Sequence, residues 1–145
     1  MIKVQSSIVI AKPVDQVFAF AANYENDAQW RDEVRQMKYG SQPVQVGTQA
    51  TEVSKVFLQN LTTVTEVTVY ELNSKVSSKS ISGMVPIVVS REFRPVSNGT
   101  EFTYFLEGDE SGVWVYRMMR PVLQRWYQAT VEKYLRTLKQ ILEAA

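Results

Sequence analysis

Hydrophobic and polar residues alternate over the first ten positions, and the period then lengthens to that of a helix. Residues 2–10 alternate with a period of two, which predicts a β-strand. Pro13 suits the first position of a following helix, in which apolar residues recur at helical spacing as far as Ala21. Asn23 suits the cap of a second short helix over residues 24–29. The chain therefore opens with one predicted strand and two short helices.

The middle of the chain returns to a period of two, in segments rich in Val and Thr that are separated by turn residues. Short connections of this kind favour antiparallel pairing. The Asn98-Gly99 pair is the clearest hairpin signal, because these residues accept the positive φ angles of a tight turn. Val34 is out of phase with its neighbours, so we expect the first strand to be irregular. The six strands are predicted at residues 34–39, 50–57, 61–70, 75–81, 87–94 and 101–107.

Residues 113–145 have the pattern of one long amphipathic helix. At about 1.5 Å per residue, such a helix crosses a whole small domain. Pro121 either kinks this helix or marks its true beginning. Its apolar residues form two faces that are offset from each other, of which the second would pack on the sheet and the first would roof a cavity. The first face comprises Met119, Val122, Leu123 and Trp126.

Composition narrows the chemistry more by what is missing than by what is present. The chain has 145 residues, a net charge of +1 and neither Cys nor His. Disulfides, thiol nucleophiles, Cys/His metal centres and a Ser-His-Asp triad are therefore excluded. We assign no catalytic residue, no metal site and no cofactor, and the near-neutral charge gives no reason to expect nucleic acid. The N-terminal pattern is not that of a signal peptide, so we expect a cytoplasmic protein with one domain, residues 1–145.

Short motifs along the whole chain carry a family resemblance. They are residues 8–18 (IVIAKPVDQVF), Trp30 after Asn23-Tyr24, Val46-Gly47, residues 66–70 (EVTVY), Phe93-Arg94-Pro95 with Gly99-Thr100, and residues 134–143 (YLRTLKQILE). With the order of elements, they resemble the START-like (SRPBCC) superfamily, and within it the polyketide cyclase/dehydrase and lipid transport group. The resemblance implies an α+β helix-grip fold, in which a curved, antiparallel, seven-stranded sheet wraps around a long C-terminal helix. It also implies binding of a hydrophobic ligand, without choosing an activity.

Arg91 is the charged residue that most needs an explanation. It shares a strand face with Val89 and Phe93, which we expect to face the cavity. A buried guanidinium is costly unless it is paired or used. One interpretation is an anchor for a carboxylate, phosphate or enolate oxygen of the ligand. The alternatives are a structural pair with Glu52 or Glu101, or a strand bulge that turns Arg91 to solvent.

Tyr104 and Trp30 each have two interpretations as well. The Tyr104 hydroxyl either orients a ligand carbonyl or is an ordinary hydrogen-bonded core group. Trp30 either gates an opening together with Tyr24 or plugs the core. The apolar walls of the predicted ligand site are Phe18, Trp30, Val67, Val89, Phe102, Met119 and Leu123, with Arg91 and Tyr104 as the polar anchors.

Three functions remain open from the sequence. The first is binding of a small hydrophobic molecule (a lipid, polyketide or aromatic metabolite) between the sheet and the last helix. The second is a cyclase or dehydratase in the same cavity, with Arg91 stabilising charge and Glu52 as a base that would need a raised pKa. The third is contact with a membrane surface, a protein partner or a second copy through the basic last helix, Trp114 and Tyr116. A solvated outer face is the usual explanation of such a run of basic residues.

Overall fold

A computed structural model describes residues 1–56 and 58–145. Within them, seven antiparallel strands form one sheet in the order β1-β7-β6-β5-β4-β3-β2. This arrangement confirms the predicted α+β helix-grip fold; position 57, predicted to end the third strand, lies outside the described residues. The strands are β1 Ile2–Ile10, β2 Val34–Tyr39, β3 Gln49–Val56, β4 Gln59–Glu71, β5 Lys75–Ser82, β6 Ile87–Val96 and β7 Gly99–Gly108.

The helices between β1 and β2 begin close to the predicted positions. Helix α1 spans Val14–Ala21, and Pro13 precedes it in an extended conformation, with φ −61° and ψ 151°. Pro13 is therefore the cap of α1 and not its first residue, and its carbonyl accepts the hydrogen bond of the Val17 N–H. Asn23 caps the 3-10 helix Tyr24–Gln29, as predicted, because its side chain accepts a hydrogen bond from the Glu25 backbone N–H.

The hairpin and the irregular strand are both where the sequence predicts them. Val96 pairs with Gly99 across a two-residue loop between β6 and β7. Gly99 has φ +143°, and a Cβ at this position would lie 2.1 Å from the carbonyl oxygen of Ile10. Only glycine fits there, because β1 ends against this turn. The register of β2 against β3 shifts between Val34 and Gln36, which confirms the expected irregularity.

The C-terminal segment forms two helices, so the prediction of one continuous helix over residues 113–145 is wrong at its start. Helix α2 spans Trp114–Met118, and helix α3 spans Arg120–Ala144. Pro121 lies in the first turn of α3, where its missing N–H costs no helical hydrogen bond. The alternative in which Pro121 marks the true beginning of the long helix is therefore confirmed.

Side chains of α3 bind the free edge of β1. The Gln124 side chain accepts from the Lys3 N–H and donates to the Lys3 carbonyl, and the Gln128 amide donates to the Gln5 carbonyl at 3.0 Å. Lys139 donates to the Val9 carbonyl at 2.7 Å. These bonds satisfy backbone groups that an edge strand would otherwise expose. They also fix where α3 crosses the sheet.

The core fills only part of the concave face of the sheet. Under α1, Phe18 packs edge-to-face on Phe93 and Tyr70, with ring centroids 5.0 and 5.8 Å apart. The C-terminal part of α3 joins the same core through Val131, Tyr134, Leu135, Leu138 and Leu142. The first part of α3 is not packed in this way, because Val122 and Trp126 are exposed, as is Met119 just before the helix. The space between this part of α3 and the sheet remains open.

Candidate functional site

A cavity of about 200 Å³ lies between the concave face of the sheet and the first half of α3. Leu123, Trp126 and Tyr127 of α3 line one side of it. The other side follows the alternation of β6 and β7, which places every second residue on the concave face. Three cross-strand pairs line it from floor to mouth: Arg91 with Tyr104, Val89 with Leu106, and Ile87 with Gly108. The next inward pair, Phe93 with Phe102, belongs to the packed core.

Arg91 is buried on the floor of the cavity in an ion pair with Asp27. Its two terminal nitrogens donate to the two carboxylate oxygens of Asp27 at 2.9 and 2.5 Å, and one of them also donates to the Ala21 carbonyl at 2.8 Å. Asp27 is wholly buried. The structural-pair interpretation of Arg91 is thus correct, but the expected partners were wrong. Glu52 binds Arg31, and Glu101 binds Arg94.

Besides its contacts with Asp27, the Arg91 guanidinium lies close to three aromatic rings. Its central carbon lies 4.5 Å from the ring centroid of Tyr24, 4.9 Å from that of Trp30 and 5.6 Å from that of Tyr104. Such contacts stabilise a desolvated cation. Burial alone would lower the pKa of Arg91, but Asp27 raises it above its usual range. The side chain therefore stays charged inside the protein.

Arg31 joins the floor to the neighbouring strands. It donates to Asp27 at 2.9 Å, to Glu52 at 2.7 Å and to Glu33 at 3.3 Å. Burial opposes the charge of Arg31, yet Glu52 and the groups near it hold its pKa well above the ordinary value. Because Asp27 binds both arginines, the two guanidinium groups belong to one network.

Glu52 does not have the raised pKa that a catalytic base would need here. Burial raises the pKa of this carboxyl, but Arg31 and a 2.6 Å hydrogen bond from Ser54 lower it more, and the result lies below the ordinary value. Glu52 is therefore ionised at neutral pH. Among the described residues, no group of three or more acidic side chains is placed to hold a metal ion.

Tyr104 carries an unused hydroxyl at the floor. The Tyr24 hydroxyl shares a hydrogen bond of 2.5 Å with Ser78, and the Tyr134 hydroxyl donates to Glu33. The Tyr104 hydroxyl has no hydrogen-bond partner in the described part of the chain, and burial raises its pKa, which keeps it protonated. The Nε of Arg31 is also buried without a partner in this part of the chain. The Tyr104 hydroxyl is thus a polar group in the cavity lining that the described residues do not satisfy.

Four of the residues predicted to form the site line the cavity, and five do not. Arg91, Tyr104, Val89 and Leu123 are in the lining. Met119 is 45% exposed at the junction of α2 and α3, because the helix begins later than predicted. The remaining four belong to the buried core next to the cavity and are Phe18, Trp30, Val67 and Phe102.

Trp30 plugs the core and does not gate the cavity. It is 1% exposed and packs edge-to-face against Phe102, Tyr104 and Tyr134, with ring centroids 6.1 to 6.2 Å apart. Tyr24 is equally buried. Trp30 supports the floor from below, and Tyr24 is part of the cavity lining, so neither side chain closes the mouth.

Exposed apolar side chains lie on α2 and the start of α3, next to Tyr116 and Leu123 of the cavity lining. Trp114, Met118 and Val122 are 64%, 71% and 61% exposed. Tyr116 is half-buried, and its hydroxyl contacts the sulfur of Met84 at 3.2 Å, which joins α2 to the loop before β6. Residues 112–131 contain three arginines and no acidic residue. We call this surface, formed by α2 and the first turn of α3, the mouth surface. No helix in the described ranges is long and apolar enough to cross a membrane.

The sequence matches a known family along nearly its whole length. The profile of the family described as "Polyketide cyclase / dehydrase and lipid transport" aligns with residues 1–143. The chain belongs to this family. Its description covers both enzymes and lipid transport, so membership gives a fold suited to hydrophobic ligands or polyketide cyclisation and leaves the activity open. A comparison with curated proteins finds no significant match.

Solved structures agree with the family on the fold. The protein TTHA0849 from Thermus thermophilus superposes with a TM-score of 0.83 at 18% identity, covering 98% of this chain and 97% of that one. A START superfamily protein from Mycobacterium smegmatis gives 0.78 at 13% identity, with coverage of 98% and 97%. The di-domain ARO/CYC StfQ of the steffimycin biosynthetic pathway gives 0.80 at 14% identity, and this chain, 99% covered, corresponds to 51% of it. At these identities the likeness establishes the fold alone.

Proposed function

We propose that this protein binds a small hydrophobic molecule in the cavity between the sheet and α3. The observation that carries the proposal is the cavity itself, which has apolar walls and a polar floor whose Tyr104 hydroxyl has no partner among the described residues. Pockets that hold small molecules combine these two features. Val89, Leu106 and Leu123 would contact the apolar part of the ligand, and Tyr104 would fix its polar end.

The size of the cavity favours a compact ligand. Its volume of about 200 Å³ lies below the roughly 300–1,000 Å³ of pockets for drug-sized molecules. An aromatic metabolite of one or two rings suits this volume better than a long-chain lipid. A cyclase reaction in the same cavity is the alternative, and the lowered pKa of Glu52 gives it no support.

Native mass spectrometry of protein purified without detergent tests the proposal, together with a thermal-shift screen of aromatic and lipid compounds. Val89→Trp places a large side chain inside the cavity, and Val88→Trp places the same side chain on the exposed outer face of the same strand. We expect adducts and thermal shifts in the wild type and in Val88→Trp, and their loss in a folded Val89→Trp variant. Apo mass and no shift across the library, or equal binding by both variants, would contradict the proposal.

A second proposal concerns the mouth surface, which we infer contacts an anionic bilayer. Trp and Met side chains are exposed there next to Arg117 and Arg125, and Trp favours the membrane interface. Pelleting with vesicles that contain phosphatidylserine should exceed pelleting with neutral vesicles and should fall with added salt. Equal pelleting with both vesicle types, or concentration-dependent dimerisation that buries the same residues, would contradict this role.

A further inference from the structure

We propose that the polar end of the ligand carries a hydrogen-bond donor and no negative charge. This inference rests on the proposed binding function and adds the ligand class. It departs from the expectation that Arg91 anchors a carboxylate, phosphate or enolate of the ligand, because the structure commits that guanidinium to Asp27.

The charges on the floor of the cavity are not balanced. Two arginines face three carboxylates within one hydrogen-bonded network, which gives a net formal charge of −1. Its members are Arg31, Arg91, Asp27, Glu33 and Glu52. Glu110, which also lines the cavity, is bound by Arg120 and the N-terminal amine. These two cations are 46% and 51% exposed and are not part of the lining, so solvent screens them.

Most of the guanidinium donors that an anion would need are already in use. Both terminal nitrogens of Arg91 bind Asp27, and both terminal nitrogens of Arg31 bind carboxylates. The Nε atoms of the two side chains have no partner among the described residues, but both are buried. An anionic ligand would have to break one of these buried pairs or lie unpaired beside a site of negative charge. Either choice is unfavourable, because an unpaired charge at a mostly buried site is poorly solvated.

Acceptors, in contrast, remain available. Glu52 accepts from Arg31 and Ser54, and Glu33 accepts from Arg31 and Tyr134. A carboxylate offers about four acceptor positions, so each retains capacity. Both side chains are in the cavity lining and partly accessible, at 15% and 22% exposure. A phenol or alcohol on the ligand therefore finds a carboxylate to donate to, and the Tyr104 hydroxyl to accept from.

Three naphthalenes of nearly equal size test the inference by titration calorimetry at pH 7. 2-Naphthol is a neutral donor, 2-methoxynaphthalene is neutral without a donor, and 2-naphthoate is an anion. We expect 2-naphthol to bind at least tenfold more tightly than 2-naphthoate, or about 1.4 kcal/mol, with 2-methoxynaphthalene between them. If 2-naphthoate bound as tightly as 2-naphthol or more tightly, the inference that the ligand carries no negative charge would be wrong. If 2-methoxynaphthalene bound as tightly as 2-naphthol, the inference that the ligand carries a hydrogen-bond donor would be wrong. If none of the three compounds binds, both the inference and the proposed binding function fail.

Glu52→Gln removes one negative charge from the floor and keeps the shape of the side chain. We expect the preference for 2-naphthol over 2-naphthoate to narrow severalfold in this variant. Glu101→Gln is the matched control, because Glu101 pairs with Arg94 on the outside of the sheet, and its preference should equal that of the wild type. An unchanged or larger preference in Glu52→Gln would contradict the inference. If that variant does not fold, the wild-type series still decides.

Discussion

The floor and the mouth of the cavity lie on the same side of the sheet and are built by opposite means. At the floor, Arg91 and Asp27 are 2% and 0% exposed, and ion pairs and aromatic rings hold them from several sides. At the mouth, Trp114 and Met118 are mostly exposed. The floor buries polar groups inside the protein, whereas the mouth leaves apolar groups outside it.

This difference separates two roles along one pocket. A floor fixed by a hydrogen-bonded network can select a ligand by its polar atoms, because those atoms meet groups that do not rearrange. A rim of exposed apolar side chains selects little by geometry but favours contact with hydrophobic surroundings. We therefore expect substitutions at the floor to change stability and ligand preference, and substitutions at the mouth to change neither by much.

The largest effect should follow from Asp27→Asn. This substitution keeps the shape of the side chain but leaves the buried Arg91 guanidinium without its carboxylate. Removing one partner of a buried ion pair costs about 3–5 kcal/mol. Urea denaturation should show a loss of this order.

Glu101→Gln serves as the control for Asp27→Asn, since it breaks the ion pair with Arg94, which is 67% exposed. Exposed pairs contribute about 0–1 kcal/mol, so this variant should stay close to the wild type. Similar losses in the two variants would mean that the floor network is no more important to the fold than a surface pair.

The second effect tests how α3 is held over both regions. Gln124→Ala combined with Gln128→Ala removes side-chain hydrogen bonds to the edge of β1. At about 1 kcal/mol for each bond, partly offset by water, we expect a loss of about 1–2 kcal/mol in the free energy of unfolding. Gln36→Ala, an exposed change on β2, should cost far less. If both variants were equally stable, the amide contacts would not be what positions α3.

The third effect concerns acid. The pKa of Glu52 is lower in the folded protein than its ordinary value, so its contribution to stability is complete above the unfolded value of about 4.3 and is lost as the pH falls through the folded value. Unfolding free energies should therefore fall more steeply below about pH 4 in the wild type than in Glu52→Gln. Parallel curves for the two proteins from neutral pH into this acid range would show that Glu52 is not held ionised.

The smallest effect on stability should come from the mouth. Trp114→Ser and Met118→Ser replace exposed side chains and should change the free energy of unfolding by no more than about 0.5 kcal/mol. The same changes should reduce pelleting with anionic vesicles. A large loss of stability would show that these residues are packed, and unchanged pelleting would remove the membrane role.

The sequence predicts the fold well because its signals are local and repeated. Periods of two and 3.6, the Asn23 cap and the Asn98-Gly99 turn each determine a few neighbouring residues, and the resemblance orders them. The prediction of one continuous helix was wrong because the apolar period runs on through residues 118–121. A helix cannot continue from α2 through Pro121 without losing a backbone hydrogen bond, so a new helix begins there.

The candidate site was predicted only on the strands. Alternation along β6 and β7 correctly placed Arg91, Tyr104 and Val89 on the concave face. Asp27 and Arg31 were missed because they come from the short 3-10 helix and its end, and their contacts with β3 and β6 depend on how that helix packs. The available signal was the need of a buried Arg91 for a carboxylate, together with the i,i+4 spacing of Asp27 and Arg31.

The role of the other predicted wall residues could not be separated from that of core residues by sequence. Phe18, Val67 and Phe102 have the same apolar character as Val89, and they differ only in what covers them. The packed core encloses these three side chains, whereas the region beneath the start of α3 remains open. Which apolar residues line the cavity depends on the space left by packing, and the hydrophobic pattern of the sequence does not record that space.

A crystal structure of the protein with 2-naphthol tests the central claim most directly. We predict electron density for the ring system between Leu123 and Val89, with its hydroxyl within hydrogen-bonding distance of Tyr104. Density only outside this cavity, or side chains filling the space under α3, would contradict the account.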